Sequence, residues 1–173
     1  ALYRMGVFEM QSGQRLVSGS TIDNYSKVTA DGLVYGYITV VPGTNVGSLT
    51  LAPVAGGAGV VVATNVLTGS WKFGPDSASV AWIADDNSLN SAGFTTAPLA
   101  LLQVNRLGDA VSASQYEFST ALTPGTPPSG GKATVYFVAD NVQGTTNTRS
   151  LFEKVAANGT QLRVYNTVPT PVV

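Results

Sequence analysis

"VAGGAGVVVATNV", residues 54–66, packs three glycines into four positions and follows them with valines. A phosphate-cradling loop would set such glycines between a strand and a helix, so that backbone N–H groups and the helix N-terminus face a pyrophosphate. Val60, Val61 and Val62 argue against that helix, because β-branched side chains lose rotamer freedom there and pack well on a pleated sheet. The dinucleotide fingerprint also fails at Val62, where Gly or Ala is required, and no Gly-Lys-Ser/Thr occurs in the chain. The stretch therefore reads as a glycine hinge leading into a buried strand.

Outward from this hinge the same alternation of turn and strand continues. Ser12-Gly13, Ser18-Gly19, Asp31-Gly32, Pro42-Gly43, Gly74-Pro75, Ala97-Pro98, Gly108-Asp109 and Asn158-Gly159 punctuate the chain. Between them lie runs of strand length at 33–41, 59–67, 77–84, 99–105, 111–118, 132–139 and 161–168, with weaker candidates at 47–52 and near residue 16. Ala133, Val135, Phe137 and Ala139 alternate with Thr134, Tyr136 and Val138 in the period of a half-buried strand. The expected class is all-β, a single antiparallel sandwich domain over 1–173 of seven to ten strands, best matched by an eight-stranded jelly roll.

One short helix is expected near 150–157, where Ser150 offers an N-cap, Glu153 the capping-box partner and Asn158-Gly159 a stop. "LTPGTPPSGG" (122–131) reads as a long exposed loop, since its prolines and glycines exclude ladder pairing and helix alike. No internal repeat is evident in the sequence.

The chain has 173 residues, enough for one domain with a core of its own. It contains no Cys and no His. Disulfides, thiolate metal sites and the commonest general acid–base are thereby excluded. Charged residues make up 11% of the chain and the net charge is −1, a density so low that copies repel one another weakly. The basic residues are scattered, so no strong direct binding of nucleic acid is expected. No apolar stretch is long enough for a membrane span, and the opening at Ala1 leaves room for a removed leader.

Chemistry-bearing constellations are few. Glu117 alternates with Tyr116 and Phe118 and reads as a solvent-facing strand position. Glu9 and Glu153 belong to no catalytic motif, and neither a Gly-x-Ser-x-Gly elbow nor a Ser-x-x-Lys on a convincing helix occurs, so an enzyme is not expected. Asp85 and Asp86, after the strand "SVAWIA", are the densest oxygen cluster and the candidate calcium ligands; no other cofactor is expected. Adjacent aspartates in an extended segment point to opposite faces, which favours an ordinary turn. Asn24 and Asn158 head glycosylation sequons. Trp71 and Trp82 sit in apolar strand context and read as core or contact residues.

The order "APLALLQVN" (97–105), "SQYEFSTAL" (114–122), "GKATVYFVADN" (131–141) and "QLRVYNTVPTPVV" (161–173) resembles the coat proteins of small icosahedral RNA plant viruses of the bromovirus and cucumovirus type. The resemblance implies the last strands of an eight-stranded jelly roll and a subunit of a shell. Those proteins carry a basic N-terminal arm, whereas residues 1–30 hold only Arg4, Arg15 and Lys27 against Glu9 and Asp23. The expected function is thus a self-assembling structural subunit, a capsid protein of a virion, partnered by its own copies and by other proteins of the particle. Two alternatives are an extracellular or cell-surface filament or pilus subunit, an immunoglobulin-like sandwich completed by a neighbour's strand, and an extracellular carbohydrate-binding module. The apolar termini "ALYRMGVFEM" (1–10) and "VPTPVV" (168–173) are expected to order against neighbouring copies.

Overall fold

A computed structural model describes residues 6–8, 15–18, 26–119, 133–140 and 149–168. The loop at 122–131, the sequon Asn24 and most of both termini lie outside the described residues. Twelve strands form three four-stranded antiparallel sheets. The first sheet holds β3 (Lys27–Val28), β4 (Val34–Val40), β5 (Val46–Pro53) and β6 (Val60–Leu67). The second holds β7 (Lys72–Phe73), β8 (Ser79–Ile83), β9 (Leu89–Thr96) and β10 (Leu99–Gly108). The third holds β11 (Tyr116–Ser119), β12 (Thr134–Asp140), β13 (Arg149–Val155) and β14 (Gln161–Val168). A separate hairpin pairs β1 (Gly6–Phe8) with β2 (Arg15–Ser18).

Each sheet is a plain meander in chain order, and the three are stacked. Val34, Ile38, Leu49 and Leu51 of the first sheet meet Val80, Trp82, Ala92 and Phe94 of the second. From the opposite face of the second sheet, Ala81, Ile83 and Leu89 meet Tyr116, Val135 and Phe137 of the third. The middle strand β8 is buried at all five positions, because both of its faces are covered. Burying each large side chain there contributes roughly 1.5–3 kcal/mol before ordering costs.

The all-β, antiparallel expectation holds, and the glycine hinge joins β5 to β6 with Gly56 and Gly57 at positive φ and no helix after it. Three finer expectations do not match, the first being the strand count, which is fourteen among the described residues against seven to ten expected. Three meandering sheets stand where a two-sheet, eight-stranded jelly roll was expected, since one strongly apolar segment such as β8 can be covered on two sides as well as one. The expected helix at 150–157 is instead strand β13, running to Val155 and followed by a turn. Its Ser150 and Phe152 share the inner face with Phe137, and Phe152 stacks on Phe137 at 5.3 Å. Glu153 accepts a hydrogen bond from Tyr136 across the ladder at 2.9 Å rather than capping a turn. Strand β9 escaped the sequence reading because its Ser91, Ala92 and Gly93 are small. Ser91 and Gly93 face the β13–β14 turn of the third sheet at close range: Ser91 Oγ donates to Ala156 O at 2.6 Å, and a Cβ on Gly93 would lie 3.2 Å from that of Ala157.

The register also exposes a repeat that the sequence conceals. Lys27 pairs with Gly36, Lys72 with Ala81 and Glu117 with Tyr136, each joining the first two strands of a sheet. The first two pairs lie 45 positions apart. The Trp71 ring sits on Gly36, where a Cβ would come within 2.7 Å of it, and Lys27 lies 4.8 Å above that ring while its Nζ donates to the Trp71 carbonyl. One sheet on, the Tyr116 hydroxyl donates to the Ala81 carbonyl at 3.3 Å, and Lys72 lies 4.7 Å above the Tyr116 ring with its Nζ donating to the Tyr116 carbonyl at 3.1 Å. An aromatic key at the start of one sheet thus meets a small residue, its socket, on the sheet before it. Because the residues change at most equivalent positions, only a trace of the repeat survives in the sequence.

Candidate functional site

Two clefts open between the first and second sheets, near the two ends of β8, and both are framed by aspartates in turns. The first, about 340 Å³, lies between β6, β10 and the β8–β9 turn, and is lined by Thr64, Asn65, Asp85, Asp86, Asn90 and Arg106 among others. This places the candidate calcium ligands together at one cleft. The turn is closed by Asn87 N–H donating to Ala84 O at 2.9 Å, with Asn87 in the left-handed region that Asn tolerates.

Asp85 and Asp86 differ in their commitments. The Asp85 backbone N–H donates to Asn65 O at 2.9 Å, tying the turn to the first sheet. Asp86 accepts from the Ser88 backbone N–H and from Arg106, both at 2.9 Å. Hydrogen bonds from Ser88, then the Arg106 guanidinium, hold the Asp86 carboxyl down at about 2. Arg106 is shared with Asp109, so Asp86, Arg106 and Asp109 form one surface chain of charge. Asp86 is thereby already neutralised by a cation of the protein itself, and among the described residues no three acidic side chains converge. The cleft offers hydroxyl, amide and carboxylate groups to a polar ligand, while Trp82 on its wall is buried and shows no free face.

The second cleft, about 380 Å³, is lined by Asp31, Asp76, Ser77, Phe94 and Thr95. Its aspartates are equivalent members of the repeat. Asp31 accepts from Leu33 N–H at 3.1 Å and from Thr29 Oγ1 at 2.6 Å, and the Thr29 contact, with the Leu33 one, lowers its pKa. Asp76 accepts from Ala78 N–H at 3.1 Å and Ser79 Oγ at 2.8 Å. Each also joins its sheet to the next: Asp31 N–H donates to Ser77 Oγ at 3.1 Å, and Ala133 N–H donates to Asp76 Oδ2 at 3.0 Å. The Asp31 carboxylate shapes its own turn, and the Asp76 carboxylate both shapes its turn and ties the second sheet to the third. The signal that could have found them is "KVTAD" at 27–31 against "KFGPD" at 72–76, a Lys four residues before an Asp in both.

Other expectations resolve individually. Trp71 and Trp82 are both core residues. Glu117 is 73% exposed along its side chain and is ion-paired with Lys72. Asn158 is exposed in the β13–β14 turn, and its Oδ1 accepts from Thr160 N–H at 3.0 Å.

No known protein family matches the sequence, and no curated protein is similar to it. A solved structure that is similar in fold is the β-propeller domain of the Trilobed protease from Pyrococcus furiosus, described as having an open velcro topology. The TM-score is 0.50 at 9% identity, over 93% of this chain and 48% of that one. The chain therefore spans about half the length of that structure, and the likeness is one of fold alone.

Proposed function

We propose that the chain is a structural subunit that assembles with copies of itself, its three sheets being consecutive propeller-type blades joined to neighbours through their outermost strands. The carrying observation is where apolar surface is left bare. Among the described residues, six of the ten exposed large apolar side chains stand on the last strands of the sheets: Val61, Leu102, Val104, Leu162, Val164 and Tyr165. Among the described residues, β10 and β14 are each paired in a ladder on one side only, and β6 is open at its Val60–Val61 end, while Asn65 and Val66 at its far end meet Asp85 and Ala84 of the second sheet. Open edges are normally blunted with Lys, Pro or inward charges, yet β6 carries no charged residue. Bulges against β5 twist β6 beyond Val61, leaving Val60 and Val61 in regular register at its open end.

Strand addition at such an edge supplies backbone hydrogen bonds and buries Val61 together. Assembly is argued here from edges rather than from the coat-protein resemblance, so a shell and a filament are both forms it can take. Sedimentation velocity tests the reading. The chain should show concentration-dependent association, and Val61→Lys should return it to a monomer with an unchanged unfolding midpoint. A chain that stays monomeric at its highest soluble concentration would refute the proposal. Electron microscopy of the associated form then separates closed shells from fibres.

A further inference from the structure

The third sheet repeats the register of the first two but reverses its chemistry. At the socket, Gly36 and then Ala81 give way to Tyr136, and at the clamp Lys27 and then Lys72 give way to Glu117. Across the ladder from the socket, Leu51 and Ser91 give way to Glu153. The small residue admits the ring of the following sheet, and the lysine holds that ring's carbonyl. Tyrosine at the same place brings a ring of its own. Its hydroxyl donates to Glu153 Oε1 at 2.9 Å, and Tyr165 Oη lies 3.5 Å from Glu153 Oε2.

We infer that Tyr136 is a built-in cap: it fills in cis the socket that would otherwise receive an aromatic key from a further sheet, and so closes the stack at its third member. Three observations converge on this. The side chain stands at the socket's register position, on the face of β12 opposite Val135 and Phe137, which pack toward the second sheet. Glu153 is 1% exposed, and a carboxylate so covered requires the hydrogen bonds it receives, so this face is organised around its own polar network. Glu117 cannot donate to an incoming carbonyl, and it is engaged backward with Lys72. The opposite end agrees, because Ser26 occupies the place that Trp71 and Tyr116 hold one and two sheets later. Terminal units of repeat stacks are commonly closed by atypical residues.

The inference concerns the sheet face and stands whether or not the edges mediate assembly. In full-length Tyr136→Gly the socket is emptied, and the unfolding midpoint should fall. Millimolar p-cresol, the missing ring as a free probe, should then raise that midpoint saturably while leaving the parent chain and Tyr136→Phe unmoved. Conversely, Ala81→Tyr writes the cap into the middle sheet and should expel Tyr116, separating the third sheet from the other two as a second, earlier unfolding step. Failure of p-cresol to stabilise Tyr136→Gly above the parent's response overturns the inference, as does an Ala81→Tyr chain that unfolds in one step at the parental midpoint. Should Tyr136→Gly prove unfolded, Tyr136→Ala with the same probe decides the first arm.

Discussion

The two interfaces between sheets solve one packing problem with opposite chemistry. Between the first and second sheets the key is Trp71 and the socket is Gly36; between the second and third the key is Tyr116 and the socket is Ala81. The larger ring is matched with glycine and the smaller ring with alanine, so the summed volume of key and socket residue is nearly the same at both interfaces. Their polar ends differ as well. Trp71 Nε1 is buried with no hydrogen-bond partner among the described residues, whereas the Tyr116 hydroxyl donates to the carbonyls of Ser70 and Ala81. The ring of the first key thus contributes volume alone, and the ring of the second contributes volume and a hydrogen-bond donor together. Burial raises the Tyr116 pKa far above that of free tyrosine, so the hydroxyl keeps its proton across the working pH range.

The largest break in this comparison should come from Trp71→Ala, which empties the first interface and is expected to cost about 3–5 kcal/mol in urea unfolding. Gly36→Ala should follow, since its Cβ would lie 2.7 Å from the ring. Overpacking of that kind costs about 1–3 kcal/mol, and a second-site Trp71→Phe that shrinks the ring should recover part of it. Tyr116→Phe sharpens the contrast, because it keeps the ring and removes the donor. An expected loss of about 1–1.5 kcal/mol would place hydrogen bonding in the second interface. Trp71→Phe alone removes a donor that had no partner, so any cost it shows belongs to lost volume.

Lys72→Met should cost less, about 0.5–1 kcal/mol, through the lost contacts with the Tyr116 ring and carbonyl and with the exposed Glu117. The smallest effect is expected from acid. Asp86 is held at about 2 in the folded chain against about 3.9 when unfolded, so its stabilisation is complete above the unfolded value and disappears as pH falls toward 2. Because half of its side chain is exposed, screening keeps the contribution below about 1 kcal/mol. Asp86→Asn should flatten that part of a stability-against-pH curve between 4 and 2, and an unchanged curve would assign the acid response to other carboxylates.

Strand positions were the most legible feature. The runs at 33–41, 59–67 and 99–105 became β4, β6 and β10, because β-branched runs and turn residues act locally. Segment 150–157 was misread because Ser150 and Glu153 carry a local helix-start signal that pairing with Tyr136 and Phe152 outweighs. Of the candidate site, the sequence supplied Asp85 and Asp86 but not Arg106, which lies 20 residues from Asp86 and reaches it across the sheet.

By itself, then, the sequence determined what neighbouring residues decide together: antiparallel strands, glycine turns, low charge, and the absence of cysteine and histidine. Only the tertiary structure decided how many sheets those strands build and which faces meet. Alternation marks a strand's apolar side without naming its partner, and β8, apolar on both sides, leaves even the number of partners open. The lock between sheets was hidden for the same reason. Its parts lie 44 positions apart, Lys27 from Trp71 and Lys72 from Tyr116, and a glycine or alanine becomes a socket only when a ring is folded against it.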